Sequence, residues 1–419
     1  MENERRSIRE LSRSTIAVVL AGGRGTRLQQ LTASRCKPAV PFAGQFRIID
    51  FTLSNCVNSG IRQIAILTQY KAHSLMRHVE RGWSFSRPEF GEFIDLLPAQ
   101  QLIETSWYLG TADAVHQNLE LIRACNADYV LILAGDYIYK MDYGLLIAQH
   151  VQNNADLTVG CVEVPLAAAS QFGLMRVDEN GRIRQFAEKP ADPRPFAFQG
   201  DFSLASMGIY LAQIDFLCEL VARDAESATS THDFGHDIIP SLIDDNHCLA
   251  CSIADMGADG QRYWRDVGTV DAFWEANMEL IGVTPKLNLY DSDWPIRTYQ
   301  EQTPPAKFLF DDDDRRGMAV DSMVSNGCIV SGGLVRHSLL FNNVRVNSYS
   351  EVEDSVLLPG VEIGRNCRIR RAVIDSNCTI PADTIVGKSI KQDKTRFHVT
   401  PNGIVLISAE MLGQESSIV

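Results

Sequence analysis

Leu20-Ala21-Gly22-Gly23-Arg24-Gly25-Thr26-Arg27-Leu28 follows a short aliphatic run that begins at Ile16. Three glycines let the backbone come close to a polyphosphate and turn its N–H groups toward the oxygens. Arg24 and Arg27 inside the loop, with Lys37-Pro38-Ala39 just downstream, add three cations within reach of the same phosphates. That combination suits a site that binds a triphosphate and releases pyrophosphate. The loop lacks the Gly-Lys-Ser/Thr ending of a Walker A sequence and is not G-x-G-x-x-G, which disfavours a nicotinamide cofactor. A second apolar run ends in a carboxylate, Leu133-Ala134-Gly135-Asp136. Such a carboxylate suits Mg²⁺, which bridges phosphates and is held by few protein oxygens. An Asp after a strand equally caps a helix, and the residues alone leave both readings open.

These groups need a scaffold that brings strand ends together. Ile16 to Ala21, Ile64 to Thr68 and Tyr129 to Leu133 are β-branched or aliphatic runs, separated by amphipathic stretches such as Asp113 to Ala124. Strands alternating with helices predict a mainly parallel sheet covered on both faces, with ligands beyond the carboxyl ends of the strands. Leu157 to Val164 and Ser206 to Leu211 continue the pattern, so residues 15–283 are expected to form an α/β, Rossmann-like catalytic domain.

Residues 284–318 differ. Pro285, Pro295, Pro304 and Pro305 interrupt them, and Asp311 to Asp314 is a run of four acids before Arg315 and Arg316. A metal site and a solvated linker are both conceivable there, and a charge run of this kind reads as the linker. In residues 319–419 large apolar residues recur at Ile329, Val335 and Phe341, at Val352 and Leu358, and at Ile369, Ile380 and Val386, with Val346, Ile363 and Ile374 filling the gaps. Asn366-Cys367-Arg368-Ile369 is echoed by Asn377-Cys378-Thr379-Ile380. A hexapeptide period sets one apolar residue per short strand at the inside corner of a parallel β-helix, which is favoured over an ordinary antiparallel domain.

Composition narrows the partners. A net charge of -13 argues against non-specific nucleic-acid binding but not against anionic small molecules. No apolar stretch is long enough to span a bilayer, and Met1 to Ser14 lack the apolar core of a signal peptide, reading instead as a loose tail. The ten cysteines are scattered and read as reduced core residues of a cytoplasmic protein. Cys248 and Cys251 form a lone Cys-x-x-Cys, and zinc requires four ligands.

Gly22 to Leu28 followed by Lys37-Pro38 resembles the signature of the sugar-1-phosphate nucleotidyltransferases. The blocks Phe46 to Phe51, Ser54-Asn55-Cys56, Trp107 to Val115, Phe186 to Pro190, Ala205 to Tyr210 and Tyr263 to Thr269 are similar to the bacterial ADP-glucose pyrophosphorylase branch. The resemblance runs from about Ile16 into the C-terminal region and implies a left-handed β-helix there. It implies adenylyl transfer from ATP to glucose 1-phosphate for glycogen synthesis, with Mg²⁺ on Asp136 and Asp266. Arg24 and Lys37 then offset phosphate charge, and Gly22, Gly23, Gly25, Thr26 and Arg27 cradle the nucleotide. Gln69, Gly110 and Thr111 face its base. Tyr108, Gly173, Glu188, Lys189 and Ser206 are the implied glucose 1-phosphate positions. Gln69 and Trp107 are implicated in transmitting a regulatory signal.

The same resemblance implies a homotetramer controlled by phosphorylated or keto-acid effectors. Arg35 and Arg47 match one half of the effector site, while Arg368, Arg370 and Arg371 match the other and are expected to form its opposite wall. Ser34 and Pro41 stand where the enterobacterial pattern has Lys and His, which points away from fructose 1,6-bisphosphate as the preferred activator. Two alternatives are a pyrophosphorylase for another sugar or base, against which the blocks at 107–115 and 263–269 stand, and a non-catalytic regulatory subunit. The latter loses metal and phosphate residues, whereas Arg24, Lys37, Asp136, Lys189 and Asp266 are all present.

Overall fold

The computed structural model describes residues 6–415 apart from 24, 100–106, 199, 257–261 and 313. Strands β1 (Thr15–Leu20), β2 (Gln63–Thr68), β3 (Phe93–Pro98) and β4 (Tyr129–Ala134) form a parallel array in the order β3-β2-β1-β4. Side chains on β1 alternate between two cores: Ala17 and Val19 join one, Ile16 and Val18 the other. A strand buried on both faces needs this uninterrupted apolar run. Because β2 and β4 lie on opposite sides of β1, the strand order reverses there. The carboxyl ends of β1 and β4 therefore open a crevice, and the loops at residues 21 and 135 stand at its mouth.

Further along the chain lie β5 (Tyr137–Tyr139), β6 (Leu157–Pro165), β7 (Gly173–Val177), β8 (Ile183–Glu188), β9 (Phe202–Gln213), β10 (Cys248–Ser252) and β11 (Trp264–Asp266). The long β9 runs antiparallel to β4 and carries β6 and β7, so it welds a second half-sheet to the parallel one. Its register shifts between Ser206 and Ile209, where Gly208 takes a φ of 68°. Off this sheet, β5 and β11 pair antiparallel with Asp266 opposite Tyr137.

Three departures from the sequence reading have local causes. Residues Ile8–Arg13 are a helix and not a loose tail, because Ser7 and Glu10 form a reciprocal capping box and Leu11 enters the core. The segment from residue 284 is docked along helix Ile48–Asn58: Trp294 Nε1 donates to Asn55 Oδ1 (2.9 Å), Arg297 N–H to Ser54 Oγ (2.8 Å) and Thr298 Oγ1 to Asp50 Oδ2 (2.6 Å). From Lys307 it is already coil, since Lys307–Leu309 pairs parallel with Ile329–Ser331. The acidic run makes an exposed ribbon, Asp311–Asp312 antiparallel to Arg315–Arg316.

The C-terminal part is a parallel β-helix whose strands stack with partners 17 residues apart through most of its length. Its interior columns are Val330, Val346, Ile363 and Ile380; Val335, Val352, Ile369 and Val386; and Leu340, Leu357, Ile374 and Ile407. Two residues read as inside corners, Phe341 and Leu358, face outward instead. Together with Leu339, Val356, Val373 and Leu406 they pack on Phe42, Phe51 and Phe273 of the catalytic part. Ile329 is half-buried, its neighbour Val330 filling the column. A period of six residues cannot distinguish adjacent apolar positions when both faces of a strand are buried.

Candidate active site

The glycine loop leaves β1 at the crevice. Gly25 has a φ of 62°, and a Cβ there would sit 3.1 Å from both Lys37 and Thr32, so glycine is needed for conformation and for space. Thr32 Oγ1 closes the loop onto the Gly25 carbonyl at 3.0 Å. Arg24 lies outside the described residues. Lys37 is buried in the short turn Lys37–Ala39, and its ammonium bridges Asp136 Oδ2 (3.0 Å) and Asp266 Oδ1 (2.7 Å). Asp136 sits between β4 and β5, and the β5–β11 pairing brings Asp266 beside it. Arg27 reaches Asp266 Oδ2 from the other side at 3.3 Å.

Burial alone would pull the Lys37 pKa down. The carboxylates of Asp136 and Asp266 outweigh it, and the ammonium is held above the ordinary lysine value. Tyr137, under the Lys37 ammonium at 5.3 Å, is pushed well above the usual phenol range by burial and then by Asp136. It stays neutral in this acidic corner.

The cleft has a volume of about 550 Å³. Gly22, Gly23, Gln69, Tyr108, Gly110 and Thr111 line one side of it, and Glu188 the other. Gln69 Nε2 donates to the Tyr108 carbonyl (3.3 Å), and a Cβ on Gly22 would stand 3.2 Å from Gln69 Cβ. Glu188 ends β8 opposite Gly173, and a Cβ at Gly173 or Gly235 would come within 2.6 Å or 2.5 Å of its carboxylate. Lys189 follows in a left-handed conformation, φ 46°, with Nζ 2.6 Å from Glu188 Oε1. Ser206 is buried behind the wall and accepts the Gly208 N–H at 3.2 Å. Trp107 is exposed and does not line the cleft.

Sequence reasoning missed Tyr137, Tyr210, Asp233, Gly235 and Gly268, all of which line the cleft. Tyr210 stacks on Phe234 at 5.3 Å. A Cβ on Gly268 would meet Asp266 Oδ1 at 2.8 Å and Arg27 at 2.9 Å, so a side chain there would displace the ends of both. A signal for Asp233 existed: an Asp before Phe234-Gly235 and an apolar run is a helix N-cap pattern. It accepts the N–H groups of Gly235 and His236 at the start of the π-turn Phe234–Ile238.

The basic residues separate. Arg35 is buried against the β-helix, with one guanidinium nitrogen 3.1 Å from Asp375 Oδ1 and the other 3.4 Å from Ser376 Oγ. Arg47 donates to the carbonyls of Ala39 and Ser74. Its pKa is pulled down to about 10 by burial and then by the neighbouring Arg35 charge. Both line a small cavity of about 80 Å³ with His78, Tyr299 and Asn342. Arg368, Arg370 and Arg371 do not form the opposite wall of this cavity. The first two point out from another face of the coil toward Glu351 and Glu353, and Arg371 stacks over Trp274 at 5.1 Å. Strand alternation is the reason: Arg368 and Arg370 flank the inward Ile369. Cys248 and Cys251 are buried thiols of β10.

Residues 16–282 match the family described as Nucleotidyl transferase, and residues 304–407 match a second, described as GlmU-like, C-terminal hexapeptide. The coil is accordingly a left-handed β-helix. Over 414 residues the chain is 61% identical to the glucose-1-phosphate adenylyltransferase of Methylococcus capsulatus, covering 99% of this chain and 98% of that relative. Identity is 58% over 411 residues to the glucose-1-phosphate adenylyltransferase of Nitrosococcus oceani, covering 98% and 97%. It is 59% over 410 residues to glucose-1-phosphate adenylyltransferase 2 of Alkalilimnicola ehrlichii, again covering 98% and 97%. The likeness extends through both the cleft and the coil that packs behind it, and the chain belongs to the glucose-1-phosphate adenylyltransferases of the nucleotidyl transferase family.

Proposed function

We propose that this chain transfers the adenylyl group of ATP to α-D-glucose 1-phosphate, giving ADP-glucose and pyrophosphate for glycogen synthesis. The observation that carries this reading is the Lys37 ammonium between two carboxylates at the mouth of a glycine loop. A phosphate oxygen of glucose 1-phosphate attacks the α-phosphorus of ATP. The new P–O bond forms as the bond to the β-phosphate breaks, and the electron pair leaves with pyrophosphate. The attacking group is already an anion, so no protein nucleophile is required. Catalysis is positioning and charge neutralisation.

Lys37 has three donors and two carboxylate partners, which leaves one N–H for a phosphate oxygen. Arg27 and the loop amides receive the departing pyrophosphate, and Arg24 takes the same role. Gln69 and the Gly110-Thr111 loop read adenine. Glu188 accepts sugar hydroxyls, Lys189 neutralises the sugar phosphate, and Gly173 leaves room for both. Tyr108 and Ser206 complete the sugar side.

Among the described residues no group of three or more His, Cys, Asp or Glu side chains could hold a metal. The two carboxylates converge on the Lys37 ammonium here, and their donor set fits Mg²⁺, which takes one or two protein carboxylates and completes its shell with phosphates and water. Asp136 and Asp266 would hold it, and when bound it would supply neutralisation of the phosphate charge.

Anionic effectors bind beside Arg35 and Arg47 in a homotetramer, and Gln69 and Trp107 carry the signal. No helix among the described residues is long and apolar enough to cross a membrane, which accords with a cytoplasmic enzyme. The test is ADP-glucose synthesis with ATP, UTP, dTTP and GTP in parallel, with Mg²⁺ and then EDTA. ATP is expected to be preferred at least tenfold; equal or faster turnover of another nucleotide overturns the assignment.

A further inference from the structure

The two walls of the cleft come from distant parts of the chain and meet at one place. Thr111 Oγ1 donates to Asp233 Oδ2 (3.0 Å) and accepts the Phe234 N–H (3.0 Å). The other oxygen of Asp233 takes the N–H groups of Gly235 and His236 (2.9 and 3.1 Å), and Gly235 lies against Glu188. One carboxylate thus ties the base-facing loop to the sugar-facing wall. Its position depends on the residue before it. His232 has a φ of 57°, a left-handed backbone that L side chains adopt only at a cost. In that conformation its carbonyl accepts the Ala112 N–H at 2.8 Å and stands where a Cβ on Gly110 would be, 2.2 Å away.

A closed ring of hydrogen bonds holds the turn. His232 Nδ1 lies 2.8 Å from Asp224 Oδ2, Ser230 Oγ donates to Asp224 Oδ1 (2.7 Å), and His232 N–H donates back to Ser230 Oγ (2.9 Å). The side chains of His232 and Asp224 are only 13% and 10% exposed, and neither lines the cleft. A polar ring without contact to substrate, spanning a strained turn that joins both walls, points to positioning.

We propose that Asp224 and His232 are positioning residues: they lock the left-handed turn at 232 and so hold the base-facing loop and the sugar-facing wall in one register. This rests on the assignment of those two walls to ATP and glucose 1-phosphate. Loss of the ring lets the walls drift apart, and both substrates bind more weakly together.

Steady-state kinetics on the full-length enzyme tests it. Asp224→Ala is expected to raise KM for ATP and for glucose 1-phosphate in step, about tenfold each, with kcat within threefold. Asp224→Asn keeps an acceptor for the imidazole and is expected to restore both KM values to within about twofold. His232→Gly, which takes the turn without strain, is expected to recover more affinity than His232→Ala. A rise in only one KM, or Asp224→Asn behaving like Asp224→Ala, overturns the proposal. So does a fall in Tm with both KM values unchanged. Hydrogen exchange gives a readout that needs no turnover: Asp224→Ala should speed exchange in residues 110–116 and 232–238 together. Unchanged protection in 110–116 overturns the clamp. Absence of ADP-glucose synthesis by the wild type, by contrast, overturns the assignment of the walls and leaves the exchange result to decide the clamp.

Discussion

Arg35 and Lys37 stand two residues apart on one segment, are equally buried, and each pairs with acids from remote parts of the chain. Their surroundings differ. Asp136, one partner of Lys37, keeps 34% of its side chain exposed toward the cleft, whereas Asp375, the partner of Arg35, is 13% exposed and wedged between the catalytic part and the coil. Burial pushes the Asp375 carboxyl above its usual range although Arg35 pulls the other way. A buried cation with one counter-ion, Asp136, facing an opening can take a phosphate oxygen there, even though its other partner, Asp266, is as enclosed as Asp375. One whose counter-ion is sealed is committed to holding two domains together.

Substitutions can break that contrast. The largest effect is expected at the sealed pair: Asp375→Ala leaves a buried guanidinium with Ser376 alone and should cost about 3–5 kcal/mol of stability. Denaturant melts measure it, and KM for both substrates should stay within about twofold on the folded enzyme. A loss under about 1 kcal/mol would show that the pair does little for the fold. At the open pair, Asp136→Asn should lower kcat by about a hundredfold or more, roughly 2.7 kcal/mol, with little change in Tm. Turnover above a third of wild type would remove Asp136 from the chemistry. Lys189→Ala should act on the sugar side, raising KM for glucose 1-phosphate about 30- to 150-fold, or ~2–3 kcal/mol, while that for ATP moves little. A rise confined to ATP would place Lys189 on the wrong wall. The smallest effect belongs to the exposed ladder. Arg370→Ala should change stability by less than about 0.5 kcal/mol and leave unactivated turnover within about twofold. Titrating fructose 1,6-bisphosphate, fructose 6-phosphate and pyruvate into this variant and into Arg47→Ala sharpens the contrast, since only the second should lose its response.

What could be read without coordinates follows the range of each interaction. The glycine loop and Lys37 were legible because they lie within sixteen residues of one another. The pairing of Asp136 with Asp266 was accessible only through resemblance, as it depends on two short strands far apart in the chain. Asp233 was missed although its capping pattern was present, because its importance comes from contact with Thr111 across the cleft. Helix Ile8–Arg13 carries its own Ser7/Glu10 signature, but the signal is short and sits among charges that favour a tail. In the coil, the period revealed the architecture but not the side. Val352, between Glu351 and Glu353, and Ile369, between Arg368 and Arg370, point inward unambiguously, while Leu340-Phe341 and Leu357-Leu358 offer two candidates per strand.

That double-sided apolar strand bears on how such a protein can be inherited. A coil with water on every outer face could be exchanged between unrelated enzymes as a cassette. This one presents Leu339, Phe341, Val356, Leu358 and Val373 to a matching aromatic surface around Phe42 and Phe273. Gene fusion or recombination at residue 284 would hand the recipient an uncovered greasy flank, an invitation to aggregate. The two halves of the gene are therefore bound to change in concert, each substitution on one side of the seam constraining what the other will tolerate.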